Sequence, residues 1–316
     1  MTPSPEPYLS VVVTSRNDDH GGDPMARMRA SFACTLHQLE KHKIDSEFIL
    51  VDWNPPGDRP TLREAIDWPD GLKHVTIRVF EVSSTLHERF SAARRPLFES
   101  AARNVGFRRS RGSFALSSMI DLLYPDTVMS FIADRQLEAD KIYRTERVDV
   151  DPAVLTRTGP EAQLAACPER VVQRNERGLY PLFPGLPPLF TNASGDFILM
   201  SRESWHALRG QREDDPSLLH IDSILMYAAL GLGITERIIP GAATYHVKHG
   251  GGWDSITERK EILDTGKTVD ELWPRYRALC IMLGLGLRDP RFNGPDWGLG
   301  DEDLPEFVIN RGQWES

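Results

Sequence analysis

The sequence predicts an α/β protein built on a mixed, mainly parallel sheet flanked by helices. Three observations lead there. Leu9-Ser10-Val11-Val12-Val13 is a short apolar, β-branched run that reads as a buried strand. Met25, Met28, Phe32, Leu36 and Leu39 then recur at helical spacing, so residues 24 to 42 read as an amphipathic helix. Phe48-Ile49-Leu50-Val51 supplies the next strand. A strand, a helix and a strand in that order form a crossover unit, which favours parallel pairing.

The remaining elements follow in order. Thr14 to Asp19 is a polar loop at the end of the first strand, and Asp52-Trp53-Asn54-Pro55-Pro56 closes the second. Val75 to Phe80 reads as a third strand from its β-branched content. Leu97, Ala101, Ala102 and Val105 mark a helix, after which a tight turn and a buried strand lead to Asp121. A helical stretch is expected from Pro125 to about Tyr143, then a strand from Tyr143 to Val150. Residues 151 to 192 carry Pro181, Pro184, Pro187 and Pro188 among glycines and aromatics, with little periodicity. They read as an irregular segment, lying over a site or inserted at the surface.

Order returns with a strand at Phe197 to Met200. Ser201 can cap a helix through Trp205 and Leu208 that Gly210 ends. His220-Ile221-Asp222 opens a further apolar helix closed by Gly231 or Gly233. Ile238-Ile239-Pro240 leads on to Thr244 through Trp253. One more helix is expected near 268 to 283, and the acidic tail around Trp297 is expected to pack back on the body.

Composition narrows the function classes. The chain has 316 residues, 40% hydrophobic and 26% charged, ordinary for a globular protein with a large core. Its net charge of −9 argues against a nucleic-acid partner, since phosphate backbones are gripped by clustered Lys and Arg. Cys34, Cys167 and Cys280 are far apart and odd in number, which suggests neither a disulfide framework nor a thiolate metal cluster. No apolar run is long enough to span a bilayer, and the start does not read as a signal peptide, so a cytoplasmic location is expected.

The chain is organised around Ala102-Arg103-Asn104-Val105-Gly106, then Ser110-Arg111-Gly112-Ser113-Phe114, then an apolar run to Met119-Ile120-Asp121 and Pro125. In open α/β sheets ligands bind at the carboxyl ends of strands, where Asp121 falls. The order Ala-Arg-Asn-x-Gly, Ser-x-Gly-x-Phe and a terminal aspartate resembles the centre of nucleotide-sugar-dependent glycosyltransferases of the GT-A fold, close to the family 2 type. The resemblance runs from about Tyr8 to about Trp253. It implies a GT-A domain over 1–254, with a nucleotide half of about 1–125 and an acceptor half of about 126–254. A C-terminal helical or irregular extension occupies 255–316. The implied activity is transfer of a sugar, with inversion, from a UDP or GDP donor to a glycan or other hydroxyl acceptor, in polysaccharide or glycoconjugate synthesis. In that family the strand ends in Asp-x-Asp, which holds a divalent cation on the diphosphate. Here Met119 stands at the first aspartate, and a thioether is too soft for a hard cation.

The candidate residues fall into three groups. For Mn²⁺ or Mg²⁺, the resemblance implies Asp121 as oxygen ligand and His246 or His249 as a nitrogen ligand; a bound ion would act as a Lewis acid on the leaving diphosphate. For the donor it implies Thr14, Arg16 and Asp52 at the ends of the first two strands. Arg103 suits a phosphate by its guanidinium fork, and Asp196 could bond sugar hydroxyls. For catalysis it implies Asp222 as the base that takes the acceptor proton, with a pKa lowered by the helix N-terminus.

Plainer readings stand beside each: Asp121 as the cap of the next helix, Asp52 and Asp196 as turn residues, Asp222 as an N-cap. Trp253 could stack on a sugar face or anchor the core. Two other classes remain open. One is a non-catalytic nucleotide- or glycan-binding module derived from such an enzyme. The other, a sugar nucleotidyltransferase, lacks its usual Gly-rich basic loop after the first strand.

Overall fold

The structure is a computed structural model that describes residues 6–20, 22–90, 95–175, 182–191, 194–214, 220–250 and 269–315. Gly251, Gly252 and Trp253 lie outside the described residues.

The amino-terminal half supplies four mutually parallel strands of one large sheet. Strand β1 (Leu9–Ser15) leads to helix α1 (Pro24–Lys41), and β2 (Ser46–Trp53) returns beside β1 in parallel. Asp23 starts α1 by accepting a hydrogen bond from Ala26 N, and Pro24 occupies the first turn, where a missing N–H costs nothing. The helix buries Met28, Phe32, Leu36 and Leu39 against the sheet, as its periodicity predicts. The short helix α2 (Leu62–Ala65) precedes β3 (Val75–Val82), which adds to β2 in parallel. Helices α3 (Ser84–His87) and α4 (Glu99–Arg109) then cross to β4 (Phe114–Ser117), parallel to β1 on its other side.

Two glycines explain the spacing of the Ala-Arg-Asn-x-Gly and Ser-x-Gly-x-Phe segments. A Cβ on Gly106 would overlap Val12 Cγ1, so α4 lies closer to β1 than any larger residue allows. A Cβ on Gly112 would sit 2.6 Å from Ser10 N, so the turn into β4 runs against the β1 backbone. Asn104 is a staple. Its amide nitrogen donates to Gln211 O and to Glu213 Oε1, both at 2.7 Å, and its oxygen accepts from Gln211 N at 2.7 Å.

The second half mixes directions. The two-residue strand β5 (Leu122–Leu123), α5 (Asp126–Ala133) and β6 (Lys141–Val150) follow. The helix expected from Pro125 to Tyr143 thus ends at Ala133, where the apolar positions Val128, Met129 and Ile132 run out. The segment from 151 onward is more ordered than its proline content suggests. It holds α6 (Pro160–Ala166) and β7 (Val171–Asn175), which pairs antiparallel with β6. Strand β8 (Ile198–Ser201) lies between β4 and β6, antiparallel to both. Ser201 caps α7 (Arg202–Leu208), accepting from Ser204 N at 3.1 Å. Helix α8 (Ile221–Gly231) leads to the long β9 (Thr235–Val247), parallel to β6 and antiparallel to β5.

The carboxyl-terminal region joins the same body. Helix α9 (Val269–Gly284) packs on α8, and its Leu272, Tyr276, Leu279 and Leu283 share a core with Val12, Ile49 and Val105. Strand β10 (Glu306–Asn310) pairs antiparallel with β3 and forms the outer edge of the sheet. Its apolar run, Phe307-Val308-Ile309, is only three residues long and half-exposed, and it is not among the strands expected from the sequence. Trp297 is buried, as the tail was expected to be. Among the described residues no helix is long and apolar enough to cross a membrane.

Candidate active site

Strands β1, β2 and β4 run parallel, so their carboxyl ends gather along one edge, where Thr14, Arg16, Asp52 and Asp121 fall. Asp121 follows β4 in the short turn before β5. It does not cap α5, whose N-cap is Pro125. Two backbone pairings fix what faces it. Leu122 of β5 is in register with His246 of β9, and Val247 N donates to Asp121 O at 2.9 Å. His249 lies just beyond the end of β9. Asp121 Oδ2 consequently lies 3.6 Å from His246 Nε2 and 3.2 Å from His249 Nε2.

These three residues form a candidate metal centre. One donor atom from each lies within 4.8 Å of the others. Asp121 Oδ1 is buried with no hydrogen-bond partner, an acceptor that a cation would satisfy. The two imidazoles hold the Asp121 carboxyl far below the usual range despite its burial. An oxygen and two imidazole nitrogens suit Mn²⁺ better than the oxygen-seeking Mg²⁺. The residues present therefore fit a borderline divalent ion.

Sequence reasoning missed the groups around this centre. Arg27, from the buried face of α1, brings Nε to 4.0 Å from Asp121 Oδ2 and bonds the carbonyls of Gly22 and His20 in the preceding loop. Asp149 is the register partner of His246 on β6, and its Oδ1 lies 3.0 Å from His246 Nδ1. Arg147, two residues earlier on the same face of β6, donates from Nε to Asp149 Oδ1 at 2.7 Å. It also reaches His246 Nδ1 at 3.0 Å and Asp196 Oδ2 at 3.1 Å. Contacts with Asp121 and Asp149 raise the pKa of His246 to about 9 against the opposing effect of burial. The alternation of β6 could have revealed Arg147 and Asp149 as one face, but nothing local says what that face meets.

Met119, two residues before Asp121, touches Arg103 through its sulfur. Arg103 is buried on α4 and pairs with Glu99 at 3.2 Å. Asp196 ends a short 3-10 turn before β8 and is almost fully buried.

Asp222 lies in the first turn of α8 behind His220, which takes the N-cap position with φ 54. Gly195 packs against its carboxylate so closely that a Cβ there would sit 2.7 Å from Asp222 Oδ2. Its pKa is raised, not lowered as the helix-end argument predicts. Burial dominates, Glu99 and Asp196 add to it, and Arg103 and Arg144 only partly offset it. A raised value moves a carboxylate toward the range of a working base.

The proposed donor contacts form a separate group at the ends of β1 and β2. Thr14 donates its hydroxyl to Val51 O at 3.1 Å, and Arg16 places Nε 3.2 Å from Asp18 Oδ2. Asp52 is fully buried. Its Oδ2 accepts from Leu62 N at 2.7 Å, while Oδ1 has no hydrogen-bond partner. Burial pushes its pKa up to about 7, with Glu81 adding to the effect.

No protein-family model matches the sequence, and no curated protein matches it. Solved structures similar to the chain in shape include the following two. GalNAc-T7, crystallised with UDP, GalNAc and Mn²⁺, is 15% identical with a TM-score of 0.49, over 82% of this chain and 48% of that one. TarS 1-349 of S. aureus is 12% identical with a TM-score of 0.45, over 76% of this chain and 60% of that one. Both are GT-A fold glycosyltransferases. The chain thus spans about half the length of the first and three fifths of the second.

Proposed function

We propose that the protein is a glycosyltransferase that moves a sugar from a nucleotide-diphosphate donor, UDP- or GDP-linked, to a hydroxyl acceptor with inversion. The observation that carries this reading is Asp121, His246 and His249 meeting at the carboxyl edge of the parallel strands. A cation held there would neutralise charge developing on the leaving diphosphate. Arg27, buried with its Nε 4.0 Å from Asp121 Oδ2, adds fixed positive charge beside it, which favours an anionic leaving group in a site sheltered from water. Thr14, Arg16 and Asp52 would receive the nucleoside, and Asp196 the donor or acceptor sugar. Asp222 would take the acceptor's proton as the new C–O bond forms, its raised pKa helping it to hold that proton. Polysaccharide or glycoconjugate synthesis is the setting this chemistry serves.

Calorimetric titration with UDP and with GDP, each with and without Mn²⁺, tests the reading on the wild type and on Asp121→Ala. The expected result is binding of one nucleotide that requires both Mn²⁺ and Asp121. Binding of neither nucleotide under any condition would overturn it.

A further inference from the structure

We propose that Asp149 is a positioning residue for the metal ligand His246, and that Arg147 holds Asp149 in place. The inference rests on the reading of Asp121, His246 and His249 as a metal centre and names a group outside it.

An imidazole can offer a lone pair to a cation from only one nitrogen, and the partner of the other nitrogen decides which. His246 Nε2 points at Asp121, the side on which an ion would lie. The opposite nitrogen, Nδ1, lies 3.0 Å from Asp149 Oδ1 and 3.0 Å from Arg147 Nη2; of these two only the carboxylate can accept a proton from Nδ1. A proton on Nδ1 donated to that carboxylate leaves the Nε2 lone pair directed at the ion. The negative charge behind the ring also makes Nε2 a stronger donor. The parallel pairing of β6 with β9 sets this contact, because Asp149 and His246 are register partners.

Asp149 is itself fixed. Arg147 Nε donates to the same Oδ1 at 2.7 Å, and Arg147 Nη1 extends to Asp196 Oδ2 at 3.1 Å. A continuous line of contacts thus runs from Asp121 through His246, Asp149 and Arg147 to Asp196. Among the described residues His249 has no carboxylate behind it: its Nδ1 faces the carbonyl of its neighbour Gly250 at 3.1 Å, which can set the tautomer but adds no negative charge. The two histidines are therefore unequal, with His246 pre-oriented from behind by a carboxylate.

The test is the affinity of the protein for Mn²⁺, measured by electron paramagnetic resonance of free ion in the absence of any nucleotide. Asp149→Ala should weaken binding about 10- to 100-fold. Asp149→Asn, which keeps an acceptor but not the charge, should fall between it and the wild type. In a His246→Ala background, Asp149→Ala should add almost nothing. In a His249→Ala background it should still cost its full factor. A purely structural role for Asp149 would cost the same in both backgrounds, and that result would overturn the proposal. So would wild-type affinity in Asp149→Ala and Asp149→Asn. Failure of the wild type to bind Mn²⁺ would remove the metal centre itself and this inference with it, an outcome distinct from the other two.

Discussion

The main-chain carbonyl of Asp121 accepts a hydrogen bond from Val247 N at 2.9 Å. That bond ties the candidate metal anchor to β9, which carries His246 and ends two residues before His249, so Asp121 and His246 are held together by sheet pairing as well as by their side chains. A site assembled in the native state and absent from the unfolded chain couples ion binding to stability. At an ion concentration 100 times the dissociation constant the gain is about 2.7 kcal/mol. Mn²⁺ should raise the melting temperature, Mg²⁺ at equal concentration should raise it less, and Asp121→Ala should lose the Mn²⁺ shift. A Mn²⁺ shift of wild-type size in Asp121→Ala would refute the assignment.

Met119 offers a second handle on the same centre. Its sulfur rests on Arg103, so a carboxylate placed there would first meet a guanidinium. Met119→Asp adds an oxygen ligand to a set rich in nitrogen, and Mg²⁺ prefers oxygen. The substitution should improve Mg²⁺ affinity by a larger factor than Mn²⁺ affinity, and combining it with Arg103→Met should enlarge both gains. The two affinities are read by calorimetry. An unchanged ratio between the ions would show that residue 119 does not reach the centre.

The sequence made the sheet's first half legible because β1, α1, β2 and β3 carry dense apolar patterns that only burial explains. Asp121, His246 and His249 were legible as candidates through the order of motifs around them. Their meeting was not, since it depends on a two-residue strand, β5, too short to leave a pattern. Arg147 and Asp149 escaped for a related reason: a charged face on β6 reads as solvent-facing until its register against β9 is known. The pKa of Asp222 went the wrong way because the helix-end argument considers one field, and the surrounding carboxylates and burial outweigh it. Arg27 was hidden in an amphipathic helix where a buried arginine looks like a surface one.

Asp52 predicts an unusual dependence of stability on pH. Its folded pKa, near 7, lies above the unfolded value of 3.8. Between those values the folded protein binds the extra proton, so stability is greatest at the acid end and falls as pH rises toward 7. The whole change is about 4 kcal/mol. Glu213, also pushed up to about 7 by burial, contributes with the same sign. Asp52→Asn should therefore raise the melting temperature at pH 8 more than at pH 5 and leave the slope due to Glu213. Denaturant unfolding across that range measures it. Equal effects at both pH values would mean that Asp52 is not buried as a neutral acid.

Gly106 tests the close packing of α4 on β1. In an exposed helix Gly→Ala gains about 1 kcal/mol from backbone entropy. Here the added methyl overlaps Val12 Cγ1, a stiff β-branched side chain in the core with no room to turn. Overpacking of this kind costs about 1–3 kcal/mol, so the net effect of Gly106→Ala should be destabilising. Gly106→Ala with Val12→Ala should recover part of the loss, because the clash has been removed. Urea unfolding of the two single variants and the double variant reads the coupling, and strict additivity would place the helix farther from the strand than described.

Asp222 separates an enzyme from a binding module. Asparagine preserves its size in a site where Gly195 leaves room for nothing larger, so the fold should survive Asp222→Asn. The amide cannot accept the acceptor's proton, and removal of a general base costs about 10²- to 10⁴-fold. Because the base acts in the chemical step, kcat should fall while nucleotide affinity stays within a few-fold of the wild type. Burial raises the pKa of Asp222, so its ionised form costs stability at neutral pH and the uncharged variant should melt at or above the wild-type temperature there. Unaltered turnover in Asp222→Asn would move the role of base to another carboxylate, with Asp196 the next candidate by position. Nucleotide binding without turnover in the wild type, and no change in the variant, would instead identify a module that keeps the donor site and has lost the reaction.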